Sequence, residues 1–326
     1  MFASVLAGLG RAAGIGAAVV ADAAVGDPQR GHPVALFGTA ASAVESRIYR
    51  DDRWTGAVHT ATLLVTVAAA AAALQRAGIR RGPWAEAACV GAATFVALGG
   101  TSLCRTGAQM AALLGGGDLD GARRVLPSLC GRDPSVLDAG GLTRAALESI
   151  AENTSDAQVA PLVWATAAGA PGVLVYRAAN TLDAMIGHRS ARYAEFGWAA
   201  ARFDDVANLI GARLTGLLVV ACAPLVGGSP GAAWRAWRRD ARRHPSPNAG
   251  VAEAAFAGAL GIRLGGPTQY AHQLEIRPTL GDGRPPEVAD LVRAVRLSRS
   301  VQVSAAVLAV AVSAVCRSGR RASPRS

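Results

Sequence analysis

Residues 57–74 read AVHTATLLVTVAAAAAAL, without one Asp, Glu, Lys or Arg, and runs of this kind constrain the chain more than anything else in it. A helix needs about 20 mostly apolar residues to cross the hydrocarbon core of a bilayer, and backbone inside lipid must satisfy its own hydrogen bonds. Comparable runs occupy residues 4–25, which carry only Arg11 and Asp22, residues 84–103, residues 157–176, broken by Pro161 and Pro171, residues 209–226, and residues 301–316. The second and third runs, joined by Arg80-Arg81-Gly82-Pro83, read as a helical hairpin. The expected fold is all-α, a polytopic integral membrane helical bundle with about five or six spans and polar active-site loops. Residues 1–316 read as one integral membrane domain and residues 317–326 as a basic disordered tail.

Composition narrows the function. With 51% apolar and 17% charged residues among 326, the chain is too apolar for a disordered or nucleic-acid-tail protein, and no nucleic-acid partner is expected. The net charge is 33 − 23 = +10, and all 33 basic residues are arginine. Schiff-base chemistry and a P-loop lysine are therefore excluded. Guanidinium suits bidentate grips on phosphate and carboxylate, although codon bias alone would also remove lysine. Cys89, Cys104, Cys130, Cys222 and Cys316 form no CxxC pair and read as structural thiols. The first apolar run lacks a preceding basic region, so it reads as a retained helix rather than a signal peptide.

Four polar islands interrupt the apolar pattern, where ionisable residues are costly and therefore candidates for function. The first, DPQRGHPV, places Asp27 and His32 each directly before a proline just after an apolar run; taken alone it reads first as a rigid helix-to-loop turn. In the second, ESIAENTSD, Glu148, Glu152 and Asp156 stand at i, i+4 and i+8, three carboxylates on one helical face. Such hard oxygen ligands suit Mg²⁺ held with substrate phosphates; a solvated acidic helix end is the alternative.

The third island spans residues 176–208. Arg177, Asn180 and Asp183 share a helical face, as Asp204, Asp205 and Asn208 approximately do, with Arg189, Arg192 and Arg202 supplying cations. Alternating Arg with Asp and Asn suits phosphates clamped by guanidinium while carboxylates hold a metal, and a structural salt-bridge network would look the same. The fourth, DARRHPSPNAG, contains Arg243, His244, Ser246 and Asn248. Its prolines make it too constrained for a tail. It reads as a phosphate-binding loop at a helix start with Asn248 as cap. As the longest polar stretch is basic, residues 229–299 are placed in the cytoplasm.

No Walker A or Rossmann GxGxxG motif and no GxSxG with triad partners is present, so chemistry alone argues for a membrane protein handling anionic, phosphorylated substrates with Mg²⁺. In order, GDPQRGHPVALFG, ESIAENTSDAQVAPLVWA, YRAANTLDAMIGHRSARYAEFGWAAARFDDVANLIGARLTGLL, DARRHPSPNAGVAEAAFAGALGIRLGG and the late LGDG resemble the adenosylcobinamide-phosphate synthases of cobalamin biosynthesis. The likeness runs over residues 22–297. Ala157 stands where the family commonly has Gly, and TQYAHQLEIRP matches no motif.

The resemblance implies a multi-pass protein of the cell membrane whose active site faces the cytoplasm. Its implied reaction is ATP-dependent amide ligation between (R)-1-aminopropan-2-ol, usually as its O-phosphate, and the free propionate carboxylate of adenosylcobyric acid. ATP and Mg²⁺ are the implied cofactors; the bilayer and other late corrin-pathway enzymes are the implied partners. Side-chain chemistry then assigns roles. Glu148, Glu152 and Asp156 would hold Mg²⁺, with Asp183, Asp204 or Asp205 completing its shell. Arg177, Arg189, Arg192 and Arg202 would clamp phosphates, with Asp27, Asn180, Arg243, Ser246 and Asn248 in the substrate site. His32 or His244 would take the proton of the attacking ammonium. A non-catalytic sensory transducer, or a corrinoid scaffold or transporter, is the alternative reading of the same architecture.

Overall fold

In a computed structural model, residues 2–27, 32–188, 190–269 and 274–319 are described. The first helices are α1 (Phe2–Val25), α2 (Pro33–Ile48), α3 (Arg53–Arg81), α4 (Pro83–Ala97), α5 (Gly100–Gly115) and α6 (Leu119–Val125). Then come α7 (Ala139–Thr154), a π turn (Ser155–Val159), α8 (Ala160–Ile186), α9 (Trp198–Ala207), α10 (Leu209–Cys222), α11 (Pro230–Asp240) and α12 (Ala249–Leu260). A two-stranded antiparallel hairpin, β1 (Leu264–Gln269) with β2 (Leu274–Leu280), precedes α13 (Val288–Gly319). Among the described residues five segments are long and apolar enough to cross a membrane: Arg53–Arg81, Pro83–Gly115, Ala139–Ile186, Leu209–Val226 and Val288–Val315.

The chain divides into two compact units, each assembled from segments distant in sequence, where the apolar pattern read as a single domain. One comprises Met1–Gly99, Ala160–Asn208 and Ala305–Ser326, the other Gly100–Val159 and Leu209–Ser304. Two further differences are local. The hairpin takes up the segment that matched no motif. And α13 runs through Gly319, so the first residues read as tail are helical, while residues 320–326 lie outside the described ones.

In the first unit, α3 and α4 form the hairpin read from the sequence, with Gly78 against Ala85. Gly10 and Gly14, four residues apart on α1, lie against Pro83, Ala87 and Gly91 of α4. Small residues let two backbones approach where lipid offers no hydrophobic drive to associate. Leu63 and Leu64 of α3 pack with Ala179, Leu182 and Ile186 of α8, Ala41 of α2 and Phe196 in one core cluster.

Helix α8 is broken as Pro171 predicts. Gly169 sits at φ 68°, a left-handed conformation that L side chains rarely adopt. In an unbroken helix the Ala170 N–H would bond the Thr166 carbonyl. Instead Ala170 N–H donates to Gln75 Oε1 of α3 at 2.7 Å, and the Thr166 carbonyl accepts from Arg11 of α1 at 3.0 Å. Both halves of the lost bond are thus satisfied by neighbouring helices, which is how a broken helix survives at membrane depth. Replacing Gln75 by Leu strands a buried N–H and is expected to cost about 1–3 kcal/mol. Thermal unfolding in detergent measures this, and an unchanged midpoint would show that the bond carries nothing.

In the second unit, every residue of α12 is buried. It packs against α7, α10 and α11, with Gly258 against Ala232 and Ala233 of α11. One glutamate, Glu253, interrupts its otherwise uncharged sequence. The helix start is capped by Ser246, whose Oγ accepts from the N–H groups of Asn248 and Ala249 at 3.3 and 3.1 Å. Asn248, expected as the cap, makes no side-chain cap bond. It accepts instead from Arg213 of α10 at 2.6 Å.

Candidate functional site

The third island converges within the first unit. From the C-terminal part of α8, Arg177 reaches Asn180 Oδ1 at 3.4 Å, and Tyr176 donates to Asn208 Oδ1 at 2.8 Å. Asn208 in turn donates to Asp204 Oδ2 of α9 at 3.0 Å. Asn180 also hydrogen-bonds Asp204, and Asp183 lies near enough to repel its charge. Burial, and after it the Asp183 carboxylate, push the Asp204 carboxyl up to about 7 against the pull of Asn208 and Asn180. Asp204 Oδ1 is buried without a hydrogen-bond partner. Trp164 anchors α9 to α8 by donating to the Ala207 carbonyl at 3.0 Å.

Other predicted members of this island lie elsewhere. Arg192 pairs with Glu45 of α2 at 2.9 Å and stacks on the Tyr49 ring, 4.1 Å from its centroid. Tyr193 donates to the same Glu45 oxygen at 3.0 Å. Arg202 pairs with Asp205 at 3.2 Å on an exposed face; burial raises the Asp205 carboxyl, and Arg202 opposes that. Neither arginine is thus found at the Asp183–Asp204 pair. Arg189 lies outside the described residues. His32 is the N-cap of α2, its Nδ1 accepting from Val34 N–H at 3.2 Å ahead of Pro33 at the first helical position. Asp27 is half-buried after α1.

The second and fourth islands meet in the second unit. Glu148 is 2% exposed, and one of its oxygens is ion-paired with the equally buried Arg132. The other accepts from Gly265 N–H at 2.7 Å, and Arg144 donates to the Gly265 and Pro267 carbonyls at 2.9 and 2.5 Å. Two side chains of α7 thereby pin strand β1. Glu152 shares a charge environment with Glu148, Arg132 and Arg277. Glu253 is 3.6 Å from His244 Nε2 and 3.8 Å from Arg277. Burial, then the Glu148 and Glu152 carboxylates, hold its carboxyl well above the usual range.

Asp156 falls on the π turn after α7. Among the described residues no three His, Cys, Asp or Glu side chains converge as a cation cage. The carboxylate face expected from Glu148, Glu152 and Asp156 is therefore not a preformed metal site, because Arg132 and Gly265 already engage both Glu148 oxygens. Arg243 is exposed and lies 3.5 Å from Asp240. Arg132, Glu253 and Arg277 were not singled out by sequence reasoning. Only Glu253 carried a signal, as a charge inside an apolar helix.

The chain matches the family model described as CobD/Cbib protein over residues 15–298. It is 65% identical over 300 residues to "Cobalamin biosynthesis protein CobD" of Mycobacterium tuberculosis (strain ATCC 25618 / H37Rv), covering 92% of this chain and 95% of that protein. The protein of the same name from Geobacter metallireducens is 43% identical over 271 residues, 81% of this chain and 85% of the relative. No solved structure matches. Four polar islands on apolar helices, matched nearly end to end, make the chain a member of the CobD/Cbib family of cobalamin biosynthesis.

Proposed function

We propose that the chain is an adenosylcobinamide-phosphate synthase, joining the amino group of (R)-1-aminopropan-2-ol, as its O-phosphate or free, to the free propionate carboxylate of adenosylcobyric acid. A carboxylate resists an amine at neutral pH, so the reaction requires its activation by phosphoryl transfer from ATP. The observation that carries this reading is the buried Asp204 carboxyl with the Asp183 carboxylate beside it. Asp183 and Asp204 offer carboxylates and Asp204 Oδ1 has no hydrogen-bond partner, while the carboxamide oxygens of Asn180 and Asn208 accept from Arg177 and Tyr176. Hard oxygen donors with two adjacent negative charges fit Mg²⁺, which when bound would neutralise charge on a transferring phosphoryl group.

Around that pair the chain's own groups divide the work. Arg177 grips phosphate oxygens as a fork of donors. Tyr176 and Asn208 fix the Asp204 carboxyl in place through their hydrogen bonds. The active site is assigned to the cytoplasmic face on the basic charge of residues 229–299.

The test supplies the detergent-purified protein with adenosylcobyric acid, aminopropanol phosphate, ATP and Mg²⁺ and follows the amide product by mass spectrometry. Product that depends on both ATP and Mg²⁺ is expected. Corrinoid binding without product would overturn the ligase reading in favour of a scaffold or transporter.

A further inference from the structure

A pocket of about 180 Å³ opens in the first unit between α2, α3, α4 and α8. Phe37, Val67, Val96, Leu174 and Ala178 give it apolar walls, and Arg177, the charged residue among those that line it, stands beside Thr181. Among the described residues no carboxylate pairs with Arg177. Its Nε is buried without a hydrogen-bond partner, and its one side-chain bond, to Asn180, is long at 3.4 Å. An arginine on a spanning helix without a counter-charge is expensive and marks a binding function. Its planar fork selects an oxyanion, phosphate above all.

Size restricts the occupant further. At about 180 Å³ the pocket lies below the roughly 300 Å³ of drug-sized sites, so it houses a small group rather than a whole nucleotide or corrin. It suits a phosphate ester on a carbon chain of about three atoms, with the chain against valine and leucine. The charged end of such a ligand would lie beside Asn180, which links Arg177 to Asp204.

We propose that this pocket seats the phosphorylated amino alcohol, with its phosphate on Arg177 and its carbon chain against Val67, Val96 and Leu174. The inference rests on the amide-forming reading above and assigns one of its substrates a place. The pocket thereby sets both the preference for a phosphorylated amine and the tolerated chain length.

The experiment measures KM for 1-aminopropan-2-ol O-phosphate, for the free amino alcohol and for ATP in the wild type, Arg177→Gln and Leu174→Trp. Binding of the phosphate ester is followed separately by calorimetry. Arg177→Gln is expected to erase the preference for the phosphorylated amine, raising its KM at least about tenfold more than that of the free amino alcohol, whatever the loss in overall rate. Leu174→Trp, which fills the pocket, is expected to raise KM for both amines and leave KM for ATP within about twofold. Should Leu174→Trp fail to fold, the substrate preference of Arg177→Gln decides alone. Amide formation with unchanged preference and unchanged KM in both variants would overturn the pocket assignment while the ligase reading stands. A wild type that binds the ester but forms no amide would overturn the ligase reading while the pocket stands.

Because a lipid headgroup offers the same phosphate chemistry, a further arm repeats the calorimetry in nanodiscs with and without phosphatidylglycerol. The expected result is ester binding in both. Ester binding abolished by the anionic lipid, with its restoration in Arg177→Gln, would give the pocket to lipid and overturn the proposal.

Discussion

Replacing Arg132 by Gln is expected to cost about 3–5 kcal/mol of folding stability, because it strands the Glu148 carboxylate in the protein interior. The two side chains are 5% and 2% exposed, so water cannot take over the solvation that the guanidinium provides. Glu148→Gln should cost less, since a carboxamide oxygen can still accept from Gly265 N–H. The double variant should recover part of the loss, as removing both charges leaves none uncompensated. Denaturation in detergent micelles, run as a double-mutant cycle, measures these differences. A loss below about 1 kcal/mol for Arg132→Gln, the range of exposed pairs, would mean that the pair is solvated and does not hold β1.

The second large effect opposes stability to activity. The Asp204 carboxyl is raised from 3.8 to about 7 in the folded chain, so folding favours its protonated form. Its stabilising contribution is complete below about pH 4 and is lost as pH rises through about 7. Asp204→Asn cannot ionise and escapes that loss. The variant should match the wild type near pH 4 and exceed it at pH 8 by on the order of 2–4 kcal/mol. Amide formation should fall by about 10²–10³-fold. Mg²⁺ should raise the melting temperature of the wild type at pH 8 through linkage, and this rise should be lost in the variant. Equal pH dependence in the two proteins would show that Asp204 ionises freely, and an undiminished Mg²⁺ response would place the cation elsewhere.

Much of the fold was legible because lipid-length helices write themselves as uninterrupted apolar runs. The hairpin at Arg80–Pro83 and the break at Pro171 could be read directly. The β1–β2 hairpin could not, since LGGPTQ shows neither alternation nor β-branched density. The two-unit division was equally hidden, because apolar periodicity reports burial and not which segments pack together. In the third island, Arg177, Asn180, Asp183 and Asp204 were legible because helical spacing places the first three on one face. The second unit's cluster was not, as Arg132, Glu148, Glu253 and Arg277 come from four separate elements and no spacing rule connects them. Spacing also misled at Glu148, Glu152 and Asp156. It reports which side chains share a face, and cannot report the cation another segment brings to that face.

The broken bond in α8 has an evolutionary consequence. Its donor belongs to α8, the acceptor that rescues the donor belongs to α3, and the cation that rescues the carbonyl belongs to α1. A substitution that straightened α8 would let Ala170 and Thr166 bond each other and take from Gln75 the donor and from Arg11 the carbonyl that each now engages. Losing Gln75 first would strand Ala170. Every one-step path away from this arrangement descends, so positions 11, 75, 169 and 171 should vary among relatives as a single inherited block.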